Sequence, residues 1–153
     1  MISKSLHENF MREAFREGYI GYKISEIPVG AVIVKDRKIL SKAHNLRETR
    51  KISIYHAEVL VIEKACKKLK RWRLDDCDIY VTLEPCIMCL GAIIESRIKR
   101  LYFGSYDLEN GAISSLKILD LKNFKLNARG GFLEEKCLQI IRRFFREIRK
   151  NEH

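Results

Sequence analysis

The chain has 153 residues, 46% of them apolar, with two prolines and eight glycines, a composition that excludes a long disordered or low-complexity tract and can fill one core without disulfide staples. No apolar run reaches the ~20 residues of a bilayer span, and the polar segment Met1 to Glu8 lacks the apolar centre of an export signal, so no membrane partner is expected. Thirty Lys and Arg against 20 Asp and Glu leave a net charge of +10, which favours a polyanion such as nucleic acid as partner, or simply a solvated basic surface.

In chain order, Leu6, Phe10, Met11, Ala14 and Phe15 recur at helical spacing, predicting a first helix from about Leu6 to Tyr19. Pro28-Val29-Gly30 leads into the β-branched run Ala31 to Val34. A polar turn at Lys35 to Lys38 and a second apolar run, Ile39 to Ala43, complete a β-hairpin. Val59, Leu60, Ile62, Ala65, Cys66 and Leu69 predict a helix opened by Tyr55-His56-Ala57-Glu58. Ile79 to Leu83 reads as a strand, Ile87 to about Glu95 as a helix, and Arg100 to Phe103, closed by Gly104, as another strand. A short helix is expected from Ile113 to Leu119, a last strand between about Lys125 and Phe132, and a terminal helix from about Leu133 to Arg149. The order β-β-α-β-α-β predicts an α/β fold, a mixed sheet with helices on its faces, in a single domain over residues 1–153.

Five cysteines, Cys66, Cys77, Cys86, Cys89 and Cys137, are an odd number for a disulfide framework and fit reduced thiols in an intracellular, cytoplasmic protein. Cys86-Ile87-Met88-Cys89 follows Pro85, a residue suited to a helix start because the N–H groups there are unpaired. Positions i and i+3 share a helix face, and a helix N-terminus favours thiolate. Alone, this C-x-x-C is compatible with a metal site, a redox pair or two core cysteines. His56-Ala57-Glu58, at the mouth of another predicted helix, shifts the balance. One His and two Cys suit tetrahedral zinc with an open fourth position, the catalytic pattern, whereas a structural zinc normally takes four protein ligands.

H-x-E followed by P-C-x-x-C is the signature of the zinc-dependent nucleobase deaminases. More of the chain resembles the bacterial tRNA adenosine deaminases within that superfamily. The matching residues include Ile27 to Val32, His44-Asn45, His56-Ala57-Glu58, Tyr80 to Cys89, Gly91-Ala92-Ile93, Ser96-Arg97-Ile98, Gly104, Asp107 and Gly111-Ala112, and the similarity covers roughly residues 8 to 149. The chain departs from the family's pattern at Tyr55, where a small residue is usual, and between Leu116 and Glu134, where an Asn-His pair is missing.

The resemblance implies a three-layer α-β-α cytidine-deaminase-like fold with a central mixed sheet of about five strands. It implies one Zn2+ per chain on His56, Cys86 and Cys89, with Glu58 moving protons from water to ring nitrogen N1 and to the leaving amine as adenosine becomes inosine. The implied substrate is wobble position 34 of a tRNA anticodon stem-loop, taken by a homodimer; a deaminase of a free base or nucleoside, such as guanine or cytosine, would share every catalytic residue. Asn45 and Asp107 are expected to touch substrate, with a turn Asn and a solvated loop Asp as the bland alternatives. Glu84, next to Pro85, reads as a residue supporting the site from behind or as a cap, with no chemistry assigned to it. In the terminal helix, Arg142, Arg143 and Arg146 flank the apolar stripe Ile140, Ile141, Phe144, Phe145 and Ile148, and Arg146 is expected to contact RNA.

Overall fold

A computed structural model describes residues 2–117 and 120–152, with a five-stranded mixed sheet at the centre. Helix α1 (Lys4–Lys23) begins at Ser3, whose side chain accepts the Leu6 N–H, and outlasts the apolar stripe that predicted it. Strands β1 (Gly30–Lys35) and β2 (Lys38–His44) form the expected hairpin, turned by Asp36 and Arg37 with φ of 51° and 60°. Then come α2 (Arg47–Arg50), α3 (Ala57–Leu69), β3 (Cys77–Leu83), α4 (Ile87–Glu95) and β4 (Arg100–Ser105). A 3-10 turn (Leu121–Phe124), β5 (Asn127–Arg129) and α5 (Glu134–Asn151) complete the chain.

The strand order is β2-β1-β3-β4-β5; β1 runs antiparallel to both β2 and β3, whereas β3, β4 and β5 are parallel. Alternation along the strands gives the sheet two apolar faces. Ile33, Ile79 and Leu101 turn toward α3 and α4, packing with Val61, Leu90 and Ile93. Val32, Tyr80 and Tyr102 turn the other way, onto Phe10, Met11 and Ala14 of α1 and Cys137 of α5. The result is the expected three-layer α-β-α arrangement. Gly30 lets α1 close onto β1: a Cβ there would lie 2.0 Å from the Ala14 carbonyl oxygen.

Two local features differ from the sequence reading. The turn α2 was not foreseen because its stabiliser is remote. Glu26, fully buried, accepts the N–H groups of Glu48 and Thr49 and the Thr49 hydroxyl, doing what an N-cap side chain would do. Conversely, residues 112–116 form turns where a helix was expected, and positions 118 and 119 of that expected helix lie outside the described residues. The amides of Ile113 and Ser114 donate to the Glu84 carboxylate, while those of Ser115 and Leu116 both close on the Gly111 carbonyl, so the segment turns back on itself.

Candidate active site

The parallel strands β3 and β4 end side by side, and the site lies beyond their carboxyl ends, where helix starts and loops converge. Leaving β3, Glu84 and Pro85 lead into α4, with Cys86 as N-cap and Cys89 three residues on. Pro85 thus stands just outside the helix, not in its first turn; the pair still shares one face. From the neighbouring layer, α3 begins after His56, its N-cap, and carries Glu58 in its first turn.

These two helix mouths bring His56, Cys86 and Cys89 together, with one donor atom from each and all within 4.8 Å of one another. His56 Nδ1 lies 3.7 Å from Cys86 Sγ and 3.5 Å from Cys89 Sγ. Tetrahedral zinc with Zn–N near 2.1 Å and Zn–S near 2.3 Å would set its nitrogen and sulfur donors ~3.6 Å apart. The donor set and its spacing therefore fit a tetrahedral ion with one position left for a non-protein ligand.

Electrostatics favour deprotonated sulfur at Cys86. The S–H of Cys89, with His56 assisting, holds the Cys86 thiol down to about 4, while the Cys89 thiol is raised by sharing its proton with Cys86 and by burial. His56 is raised by its bond to Cys86. Glu58, 4% exposed, is pushed up to about 7, chiefly by burial and also by Cys86. A carboxyl group in that range exchanges protons readily near neutral pH.

A cavity of about 670 Å³ opens over this cluster, within the ~300–1,000 Å³ of small-molecule sites. Asn45 and Asp107 both line it. Asn45 is buried and its Oδ1 accepts the Arg47 N–H at 3.0 Å. Asp107 commits Oδ1 to the N–H groups of Glu109 and Asn110, so part of its work is to shape its own turn. Tyr55, the departure beside His56, packs against the core on the α3 side and not in the cavity wall.

Arg146 is placed elsewhere. It borders a separate groove of about 710 Å³ with Phe15, Tyr19 and Arg143, whereas Arg142 borders both spaces. The helical period explains the split: about 100° per residue turns Leu138, Ile141 and Phe145 to one side of Arg142, and Gln139, Arg143 and Arg146 to the other. The apolar stripe divides likewise, with Ile140 and Phe144 buried and Phe145 and Ile148 exposed. Sequence reasoning missed Arg47, Leu138 and Phe145 as cavity-lining residues, took Glu84 only as a supporting or capping residue, and passed over Glu26, which holds α2 outside the cavity. A carboxylate between a buried strand and a Pro-Cys step was the available signal for Glu84; nothing local marked Glu26.

A mixed sheet between two helical layers, with an H-x-E helix mouth facing a C-x-x-C helix mouth, defines a deaminase of the cytidine-deaminase-like fold. The chain belongs to the MafB19-like deaminase family, whose model matches residues 5–149. A tRNA-specific adenosine deaminase of Bacillus subtilis (strain 168) is 45% identical over 148 residues, covering 95% of this chain and 92% of the relative. Among solved structures, a tRNA:A34 deaminase studied for A-to-I editing at the wobble position superposes with a TM-score of 0.81 at 34% identity, covering 86% of this chain and 98% of the other. A guanine deaminase from Bacillus subtilis is 42% identical with a TM-score of 0.63, but the match covers only 65% of this chain and 64% of the other.

Proposed function

We propose that this protein is a tRNA adenosine deaminase, hydrolysing the C6 amine of adenosine at wobble position 34 of an anticodon stem-loop to give inosine and ammonia. The observation that carries the reading is the end-to-end likeness to a tRNA-specific adenosine deaminase, joined to the His56, Cys86 and Cys89 cluster beside the buried Glu58. The partial match to guanine deaminase weighs less, because it leaves a third of each chain unpaired.

His56, Cys86 and Cys89 would hold one Zn2+, which when bound lowers the pKa of a water ligand toward neutrality. Glu58, buried beside this cluster, takes a proton from the attacking water and passes it to N1 of the adenine. It then helps to protonate the exocyclic nitrogen, so that the new C6–O bond replaces the C6–N bond. Asn45, whose oxygen is held by the backbone of Arg47, offers its amide N–H groups to the purine. Asp107 contributes to the wall against the flanking nucleotide.

The +10 charge suits the anticodon stem-loop as substrate. Exposed apolar side chains beside the cavity, Ile87 at 53% and Leu108 at 86%, suit a second copy closing the groove in a homodimer. Two sulfurs that must stay reduced to bind metal point to the cytoplasm. The test is incubation of the zinc-loaded protein with tRNA carrying A34, followed by nucleoside analysis. Inosine at position 34 supports the reading; turnover of free guanine, cytosine or adenosine with the tRNA untouched overturns it.

A further inference from the structure

Glu84 is 2% exposed, and among the described residues its carboxylate is met by N–H and O–H donors and by no basic side chain. All of its side-chain partners lie in one loop, 23 to 30 residues ahead. Oε1 accepts the Asp107 N–H at 3.1 Å and the Ser114 hydroxyl at 2.6 Å. Oε2 accepts the Ile113 N–H at 3.0 Å and the Ser114 N–H at 2.7 Å. The backbone on either side joins in: Glu84 N–H donates to Ser105 O at 2.8 Å, and Pro85 O accepts the Ala112 N–H at 3.0 Å. Gly111 sits directly on the carboxylate, where an added Cβ would lie 2.4 Å from Glu84 Cδ and 2.5 Å from Asp107 O. The loop therefore has both ends fastened to the two residues that immediately precede Cys86. Tyr106, Asp107 and Leu108 of this loop line the cavity, as does Asn45.

We propose that Glu84 is a positioning residue for the reaction: it locks the 105–114 loop to the Cys86 helix mouth and so sets the wall against which the substrate is held. This rests on the deaminase reading above. An isolated loop of this kind has several turn conformations available, and four bonds to one buried anion select one of them. Because the same chain step carries Cys86, the wall keeps its distance from the reacting carbon without any direct contact between Glu84 and substrate. The geometry predicts a defect in holding substrate, distinct from the loss of chemistry expected at Glu58.

The experiment compares the parent chain with Glu84→Gln, Ser114→Ala and Gly111→Ala, each zinc-loaded, by steady-state kinetics on A34 tRNA and by amide hydrogen exchange. An amide at position 84 turns an NH2 donor toward N–H and O–H donors. Glu84→Gln should keep its zinc and slow exchange in α3 and β3, while exchange at Asp107, Ile113 and Ser114 speeds at least about tenfold. Its KM should rise about tenfold or more with a smaller fall in kcat, and Ser114→Ala, which loses one bond of the four, should fall between it and the parent. Unchanged exchange in the loop overturns the proposal, as does a loss confined to kcat or a loss of zinc. If Glu84→Gln does not fold, the loop-exchange and KM shifts in Ser114→Ala and Gly111→Ala decide the matter. A parent chain inactive on tRNA removes the substrate reading alone, since the exchange data still report whether Glu84 holds the loop.

Discussion

His56 Nδ1 lies 3.5 Å from Cys89 Sγ across 33 residues of chain, because the mouths of α3 and α4 open at the same end of the sheet. Each residue is placed by its own helix start; the distance between them is set by how the two helices pack on one sheet face. The chemistry expected of the protein depends on that distance.

Metal analysis should find about one zinc per chain. Cys86→Ala and Cys89→Ala should each lose most of it, because two remaining donors make a poor tetrahedral site. Cys66→Ala, Cys77→Ala and Cys137→Ala should keep it, since none of those thiols belongs to the cluster. Full occupancy in Cys86→Ala would remove the C-x-x-C from the site.

Glu58→Gln should fold and bind zinc normally yet lose about 10²- to 10⁴-fold in kcat on A34 tRNA, since the glutamine amide cannot shuttle a proton. The change is nearly isosteric and relieves a buried carboxyl group, so the melting temperature should not fall. Turnover within threefold of the parent, measured on the same preparation, would contradict the proton-transfer role.

Arg142 and Arg146 should separate in their effects. Arg142 borders the cavity over the cluster, and Arg146 only the α1–α5 groove. Arg142→Ala should raise KM for tRNA and shallow the salt dependence of binding by roughly 0.7 log units per log unit of salt, the increment for one single-strand phosphate contact. Arg146→Ala should change KM by less than about twofold. A larger KM effect at Arg146 than at Arg142 would place the RNA path across the α1–α5 groove instead.

His7, buried under Tyr80 and Tyr102, accepts or donates a 2.6 Å bond with the Tyr80 hydroxyl. Its pKa is lowered from 6.5, first by burial and then by Arg129. The native state therefore binds this proton less readily than the unfolded chain. Its contribution to stability is complete above pH 6.5 and is lost as pH falls from there toward the lowered native value. Denaturant melts should show His7→Gln destabilised at pH 7.5 but with a gap to the parent that narrows by pH 5. A gap that widens on acidification would mean that native His7 takes up the proton more readily.

Much of the site was legible because its information is local. The i, i+3 spacing of Cys86 and Cys89 and the helix starts at His56 and Cys86 follow from the helical period of 3.6, and the apolar runs Ala31 to Val34 and Ile79 to Leu83 mark strands without showing which residue faces which layer. Those patterns, with the motif's donor chemistry, indicated the strands and the candidate metal donors, and the family resemblance indicated the three layers, before any contact was known. The tertiary structure alone decided what depends on partners far away in sequence. Glu26 caps α2 and Glu84 gathers the loop at 107–114, each through donors more than 20 residues distant. The choice between Arg142 and Arg146 likewise turned on which way α5 rolls against α1 and the sheet. A buried carboxylate binds whichever N–H groups packing delivers to it, and no local pattern records that delivery.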